Sequence, residues 1–375
     1  MNTRKNAEIP PDRVHSAGAN SYSVDRRPRS EVTSLFPWFS MILPTTYATA
    51  LLLTILSMIC WGSWANTFKM TRKWRFELFY FDYSFGVLLA GVVAAFTFGS
   101  MGDDLSFMDN LLIAGKRQIA YALAAGIVFN LANMLLVAAI SLAGLAVAFP
   151  IGIGLALVIG VLWNYSINPI GNPFLLFSGV ALVVAAIIVD AFAYRAHSEE
   201  DGEITDEFSV KGLVIALVSG VLMGSFYPLV ELSRASEIGL GPYSVGFFFS
   251  VGVFLSTFIF NLYFMNLPVQ GEPVGLIQYF RDGSIRNHLL GVFGGLLWCA
   301  GMLANVVAAS GTAKVGPAVS YAMGQGATMI SALWGILVWK EFAGAETRVK
   351  LLLVIMFVLF GAGLGLVSIA PLYVK

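Results

Sequence analysis

Ten apolar runs of about 20 residues follow one another through the chain, near 45–68, 78–99, 118–140, 143–163, 173–193, 212–231, 243–266, 288–310, 314–338 and 350–370. A helix of that length, rising 1.5 Å per residue, crosses the roughly 30 Å hydrocarbon core of a bilayer. Lipid offers the backbone no hydrogen-bond partners, so runs of this length satisfy their own amides and carbonyls as helices. The expected fold is an all-α integral membrane protein with ten transmembrane helices. Composition agrees: 58% of the 375 residues are hydrophobic and 12% charged, where soluble domains carry roughly a quarter charged.

Later runs repeat earlier ones. Residues 131–154 align without a gap on 303–326 with eight identities in 24 positions: Leu131, Ala132, Asn133, Gly144, Ala146, Val147, Gly152 and Gly154 meet Leu303, Ala304, Asn305, Gly316, Ala318, Val319, Gly324 and Gly326. A shorter echo sets Trp61-Gly62-Ser63-Trp64 on Met223-Gly224-Ser225-Phe226 and brings Lys69 opposite Glu231. The chain reads as a duplicated unit. Each half holds five spans, an odd number, so the second copy enters the bilayer from the opposite side. The expected architecture is two five-helix inverted repeats about an axis in the membrane plane. The halves are 44–193 and 212–375, preceded by a polar tail, 1–43, and joined by an acidic linker, 194–211. Tight joints at Ser141 to Gly144 and Gly311 to Gly316 make hairpins of spans three and four and of spans eight and nine.

The tail carries six basic and four acidic residues and lacks the apolar core of a signal peptide. It is expected to be disordered, with the first span as insertion signal. Met41, just before that span, is an alternative start. The linker holds Glu199, Glu200, Asp201, Glu203, Asp206 and Glu207 and reads as a solvated loop. Lys and Arg divide evenly between the two sides of the membrane, so the positive-inside rule sets no orientation. Formal charges cancel at 22 of each sign, which leaves no basic stripe for nucleic acid. Cys60 and Cys299 lie in apolar runs, and His15, His197 and His288 are scattered. No disulfide, metal site or cofactor is expected.

Two stretches carry a family likeness. Trp61-Gly62-Ser63-Trp64-Ala65-Asn66-Thr67, followed by Trp74-Arg75-Phe76-Glu77-Leu78-Phe79-Tyr80-Phe81-Asp82-Tyr83, is one; Gly316 to Gly326, with Leu333-Trp334-Gly335 and Trp339-Lys340-Glu341, is the other. Together they resemble the ureide permease-like branch of the drug/metabolite transporter superfamily, over roughly 45–370, and the second stretch is shared with sugar-uptake and EamA-like permeases. The resemblance implies ten spans in two inverted halves and both termini in the cytoplasm of a plasma (inner) membrane protein. Residues 194–211 hold no G-x-x-x-x-G-K-[ST] motif, a departure from the long nucleotide-binding-like central loop of plant ureide permeases.

In inverted-repeat carriers the solute binds near the midplane, where spans interrupted by Gly or Pro occupy matching places in the halves. Here those are Pro150, Gly152 and Gly154, matched by Ala322, Gly324 and Gly326. These glycines either expose backbone to a polar solute or let helices approach closely. Gln325 between two of them favours the first reading in the ninth span, since its mate, Ile153, is apolar. Asn130, Asn133 and Asn305 sit inside apolar helices, where an unpaired amide costs several kcal/mol, roughly. Each bonds either a neighbouring helix or solute. Trp61, Trp64, Tyr227, Trp298, Tyr321 and Trp334 carry a polar edge on an aromatic face, which suits a planar heterocycle or a sugar. With Asn66 from the first motif they complete the expected lining. Ionisable groups at membrane depth are costly. Asp82 and Glu231 are the expected coupling carboxylates, Asp82 able to pair with the preceding cluster Arg72, Lys73 and Arg75 or to take a proton; Asp190 lies near the end of its span, and Lys69 snorkels.

The expected function is a secondary transporter moving a small polar or heterocyclic metabolite, of ureide, nucleobase or sugar type, by alternating access with proton coupling. Its partners are that small molecule and the lipid bilayer; oligomeric state is not read from the sequence. Within transporters, a metabolite or drug exporter is the alternative. An integral-membrane enzyme is disfavoured, because the spans hold no nucleophile elbow or His/Asp/Glu cluster, and a channel would lack saturation and counterflow.

Overall fold

The computed structural model describes residues 42–71, 74–101, 105–200, 209–268, 271–313 and 315–373. Among these, ten helices are long and apolar enough to cross a membrane: α1 Tyr47–Lys69, α2 Phe76–Phe96, α3 Lys116–Ala143, α4 Val147–Ile167, α5 Pro173–Glu199, α6 Val210–Arg234, α7 Pro242–Asn266, α8 Ile285–Ala308, α9 Pro317–Trp339 and α10 Thr347–Tyr373. There is no strand among the described residues. Each helix meets an apolar run of the sequence within a few residues at its ends, except that α5 continues six residues into the stretch expected to be linker. The remainder of that linker, 201–208, and the tail through residue 41 lie outside the described residues.

Helix starts follow the sequence. Thr46, Ser209 and Ser284 cap α1, α6 and α8, each accepting a hydrogen bond from the amide three residues on. Proline opens α7 and α9, where its missing N–H would have no partner anyway. The joint before α4 is Gly144, at φ 75°, ψ 159°, and the joint before α9 is Gly316, at φ 78°, ψ 159°. These aligned residues of the internal repeat adopt one backbone conformation, in a region open to glycine at little steric cost. Two spans are interrupted. Trp64 breaks α1; Gln325 and Gly326 break α9, which ends in a π-turn, Gly335–Trp339, before left-handed Lys340.

The packing runs in pairs. Helix α3 lies on α6 and α8 on α1; α4 lies on α6 and α9 on α1; α7 lies on α3 and α2 on α8. Helices α2 and α7, α4 and α9, and α5 and α10 also touch. Small residues bring backbones together at the crossings, as they do where lipid supplies no hydrophobic drive. A Cβ on Gly295 of α8 would stand 2.0 Å from the Tyr83 carbonyl oxygen of α2, and in the α5/α10 pair Gly179 and Gly363 each face the other's carbonyl. Leu52, Val93, Leu255, Ile259, Val354 and Val358 stay exposed, an outer apolar surface of the kind lipid covers.

Candidate substrate cavity

A cavity of about 350 Å³ lies among α1, α3, α4, α6, α8 and α9, with the start of α2 at its edge. Its walls are largely aromatic: Trp61, Trp64, Phe68, Phe76, Phe129, Phe149, Phe226 and Trp298. Trp298 clusters with Phe129, with ring centroids 4.0 Å apart, and Phe249, at 5.6 Å, and stacks on Trp61 at 5.9 Å. The Trp61 indole N–H donates to the Trp298 backbone carbonyl at 3.2 Å, which ties α1 to α8 beside the space. The polar groups at the wall are Asn133, Gln325, Thr328 and Ser331. Asn133 donates to Tyr80 Oη at 3.0 Å, and its carbonyl oxygen has no partner among the described residues. The carboxamide of Gln325, at the break in α9, has none either.

The space opens to one side. It shares Phe76 and Val137 with a second pocket of about 320 Å³ lined by Arg75, Glu77, Ser141, Asn261, Phe264 and Gly271. With successive spans running in alternate directions, these residues mark the face opposite the ends of the bundle at Tyr47 and Tyr373. At that mouth Arg75 forks onto Glu77 at 2.6 and 3.0 Å. This bond, ahead of the charge of Glu77, holds the Arg75 guanidinium above its ordinary pKa against the opposing effect of burial.

Of the residues singled out from sequence, Trp61, Trp64, Asn133, Trp298 and Gln325 meet at the cavity. The others stand around it. Tyr227 and Tyr321 are fully buried with rings 5.1 Å apart, and Tyr321 Oη donates to the carbonyls of Ala156 and Met223 at 3.3 and 3.4 Å. Asn305 donates to Ser57 Oγ at 3.1 Å and the Ser320 carbonyl at 2.8 Å, while Ser320 Oγ donates back to its carbonyl oxygen. Asn130 bonds α7 through Val253, Ser256 and Thr257. Asn66 and Trp334 belong to a seam between α1 and α9: Trp334 donates to Ser63 Oγ at 2.9 Å, Trp339 to Asn66 Oδ1 at 2.6 Å, and Lys69 to Glu341. Ser63, Asn66 and Lys69 recur every three residues, one face of a helix. The two motif stretches, far apart in sequence, are thus each other's partners. Gly152, Gly324 and Gly326 are close-packed, whereas nothing lies within 4 Å of a Cβ at Gly154.

Three carboxylates are buried among the described residues: Asp82, Asp190 and Glu231. Asp82 accepts from Tyr279 Oη at 2.5 Å and meets His288 Nδ1 at 2.7 Å. It does not pair with Arg75, because seven residues of helix set it about 10 Å further along the axis, against α8. Arg72 and Lys73 lie outside the described residues. Tyr279, in the short helix Ile277–Asp282 outside the spans, has its phenol pushed above the ordinary value by burial, then by its bond to Asp82 and that carboxylate's charge. Glu231 binds Arg234 at 2.9 Å and Asn168 at 3.3 Å, and Arg234 reaches on to Ser310 at 2.8 Å.

The reading of the sequence missed Phe149, Met223, Phe226, Thr328 and Ser331. The apolar three look like any lipid-facing residue. The polar two carried a signal: Gln325, Thr328 and Ser331 repeat every third residue in an apolar helix, a polar stripe that has to face something other than lipid.

A helical bundle wrapped on one open cavity of aromatic rings and unpartnered amides has the build of a membrane permease. The Ureide permease family matches residues 79–206 and 203–370, and the chain belongs to it. Ureide permease 2 of Arabidopsis thaliana is 24% identical over 395 residues, covering 85% of this chain and 96% of that one. Ureide permease 5 of the same plant is 25% identical over 389 residues, covering 84% and 93%. Transmembrane protein 144 homolog B of Dictyostelium discoideum is 28% identical over 165 residues, 43% of this chain and 41% of its own. A crystal structure of another protein matches with a TM-score of 0.55 at 18% identity, covering 85% of this chain and 96% of that one, which is a likeness of fold. The protein is an integral membrane permease and not an enzyme.

Proposed function

We propose that the protein is a secondary transporter that carries a small planar solute rich in amide groups, a ureide or nucleobase-like molecule, across the plasma membrane by alternating access. The observation that carries this reading is the pairing, in one cavity, of stacked Trp rings with the carboxamide oxygen of Asn133 and the carboxamide of Gln325, which have no partner among the described residues. Flat rings hold a planar solute by its faces, and a carboxamide matches the alternating N–H and C=O groups of a urea unit, donor to acceptor and acceptor to donor.

The two halves 44–193 and 212–375 act as inverted five-helix repeats, with both termini cytoplasmic. Two facts support this. Exchanging each helix for the one five later maps the packing pairs named above onto one another, and Gly144 and Gly316 share one conformation. In a machine of this kind the state open to the face opposite the termini alternates with one open to the other. The cycle is driven by an ion gradient. The carboxylates Asp82 and Glu231 stay with their partners at opposite ends of the bundle and tie helices there.

Counterflow in proteoliposomes tests the function: vesicles loaded with unlabelled allantoin, a cyclic ureide, should take up labelled allantoin against its own gradient and saturably. Uptake that is linear in concentration and blind to internal solute would make the protein a channel. The alternation has its own check. In a background lacking Cys60 and Cys299, both buried, a membrane-impermeant thiol reagent should label Phe149→Cys from the face opposite the termini. Its repeat mate Tyr321→Cys should label from the terminal face, and faster during counterflow; labelling of both from one face ends the inverted-repeat reading.

A further inference from the structure

Beside the cavity, between α4, α5 and α9, is a pocket of about 60 Å³ lined by Phe149, Pro150, Asp190, Ala191, Tyr194, Thr328, Ser331 and Ala332. Phe149, Thr328 and Ser331 also line the solute cavity, so the two spaces share a wall. Asp190 is 6% exposed. Its Oδ1 is fully buried without a hydrogen-bond partner, and Oδ2 has no partner among the described residues either. This sets it apart from Asp82, bound by Tyr279 and His288, and Glu231, bound by Arg234 and Asn168. Both of those carboxylates have each oxygen engaged; Asp190 has neither.

The neighbours of Asp190 offer it no counter-charge. From its own helix Tyr194 faces it, but that hydroxyl donates to Glu341 at 3.0 Å. From beyond the end of α9 the charged group is Glu341 itself, a like charge, already held by Lys69 and contacted through its backbone by His197. Helix α4 contributes Phe149 and Pro150 to the pocket. On α10, Arg348 lies with Arg195 and Glu199 around a separate surface pocket. An ionised carboxylate buried without a cation or hydrogen bonds costs several kcal/mol, roughly. Such a group is retained where it exchanges a cation as part of function.

We propose that Asp190 is the proton-binding residue of the transport cycle, loaded and discharged through the pocket it shares with the solute cavity. The proposal rests on the reading of the chain as a gradient-driven permease. A proton comes from water at the open face onto a carboxylate oxygen of Asp190 and leaves to water at the other face, with no change in any other bond. A hard metal cation is a poorer fit, since it requires several oxygen ligands at once and the pocket adds to Asp190 only the hydroxyls of Tyr194, Thr328 and Ser331, two of which are committed. Thr328 donates to the Gln325 carbonyl at 2.8 Å, which links the stem of the solute-facing residue to the proton pocket. The proton pocket and the solute-facing carboxamide thus lie within one turn of α9 of each other, the proximity that coupling between them requires.

Proteoliposomes with an imposed pH gradient and labelled allantoin provide the test. Asp190→Asn should lose gradient-driven accumulation by tenfold or more while keeping counterflow at equal pH within about twofold of wild type, and Asp190→Glu should keep accumulation within about threefold. Wild-type accumulation by Asp190→Asn overturns the assignment, as does drive by a sodium gradient in place of a pH gradient. Equal loss of counterflow and accumulation in an Asp190→Asn protein of unchanged melting temperature also overturns it, by making the residue part of the solute route. A second arm needs no solute: infrared difference spectra of the purified protein between acid and alkaline buffer should contain a carboxylic acid C=O band that Asp190→Asn removes and Asp82→Asn leaves. Persistence of that band in Asp190→Asn refutes the proposal. Absence of allantoin counterflow by wild type, with the band present and assigned, faults the solute reading and leaves the proton site standing.

Discussion

Asn133 and Asn305 occupy one position in the two halves, as do Phe149 and Tyr321, yet their fates differ. Asn133 and Phe149 stand at the open cavity. Asn305 is enclosed by Ser57 and Ser320, and Tyr321 is fully buried against Tyr227. Other mates stay alike: Trp61 and Met223, Trp64 and Phe226, and Ile153 and Gln325 all reach the cavity. Even the serine one turn back is matched, Ser57 meeting Asn305 and Ser219 donating to the carbonyl beside Asn133. The comparison separates two jobs that one repeated sequence performs: mates that stay alike build the cavity wall from both halves, and mates that part ways leave one residue at the cavity and enclose the other in the bundle.

The largest effect should come from filling the closed end. A Cβ on Gly324 would lie 2.6 Å from Trp61 Cζ3 and 2.8 Å from Asn305 Nδ2, while nothing stands within 4 Å of one on Gly154, mate of Gly326. Gly324→Leu should reduce allantoin counterflow at least fiftyfold with normal membrane insertion, since overpacking costs about 1–3 kcal/mol and displaces a wall of the cavity. Gly154→Leu should stay within about threefold of wild type. Equal rates for the two variants would dissolve the contrast between the ends.

Next in size is the contrast between the asparagines. Losing one hydrogen bond to the solute is worth about 0.5–1.5 kcal/mol, up to roughly tenfold in affinity. Asn133→Leu should therefore raise the KM for allantoin by up to about tenfold while also lowering stability, since it strands the buried Tyr80 hydroxyl; Gln325→Leu should raise KM likewise with little change in melting temperature. Asn305→Leu should do the reverse of Gln325→Leu, lowering stability by about 1–3 kcal/mol as it strands Ser57 and Ser320 while leaving KM near wild type. Should Asn305→Leu change KM as much as Asn133→Leu, both amides touch solute and the comparison fails.

The spans and their joints were legible because length, apolar period and internal repetition are written locally along the chain, whereas the glycine crossings Gly295 on Tyr83 and Gly179 on Gly363 were not. Half of the residues expected to line a site do reach the cavity, for a similar reason: Trp61, Asn133 and Gln325 are polar-edged residues in runs that otherwise exclude polarity. What escaped depends on contacts between distant segments. Asp82 stood out as a carboxylate near basic residues, but its partners Tyr279 and His288 come from about 200 residues away. Asp190 looked like the end of a span, and only the approach of α4 and α9 encloses it. The end of α5 was misjudged because the helix runs on past the apolar run to Glu199, where charge stops marking a boundary once helix has left the lipid.

The smallest effect belongs to Lys69, repeat mate of Glu231. The two positions close opposite ends of the bundle with different chemistry. Lys69 pairs with Glu341 through side chains 44% and 30% exposed and lies 4.6 Å over the Trp339 ring, whereas the Glu231–Arg234 pair is 8% and 15% exposed. Water screens the first pair, and exposed pairs contribute only about 0–1 kcal/mol. Lys69→Gln should therefore shift the melting temperature by no more than that energy allows, and less in high salt, because the Trp334 and Trp339 bonds still hold α1 to α9. Glu231→Gln leaves the Arg234 charge buried beside a neutral amide and should destabilise by a larger, salt-insensitive amount. Melting curves of the two variants at low and high salt decide it. If Lys69→Gln proves the more damaging, the Lys69–Glu341 pair is a principal tie of the open end, and the asymmetry between the ends runs opposite to the one drawn from exposure.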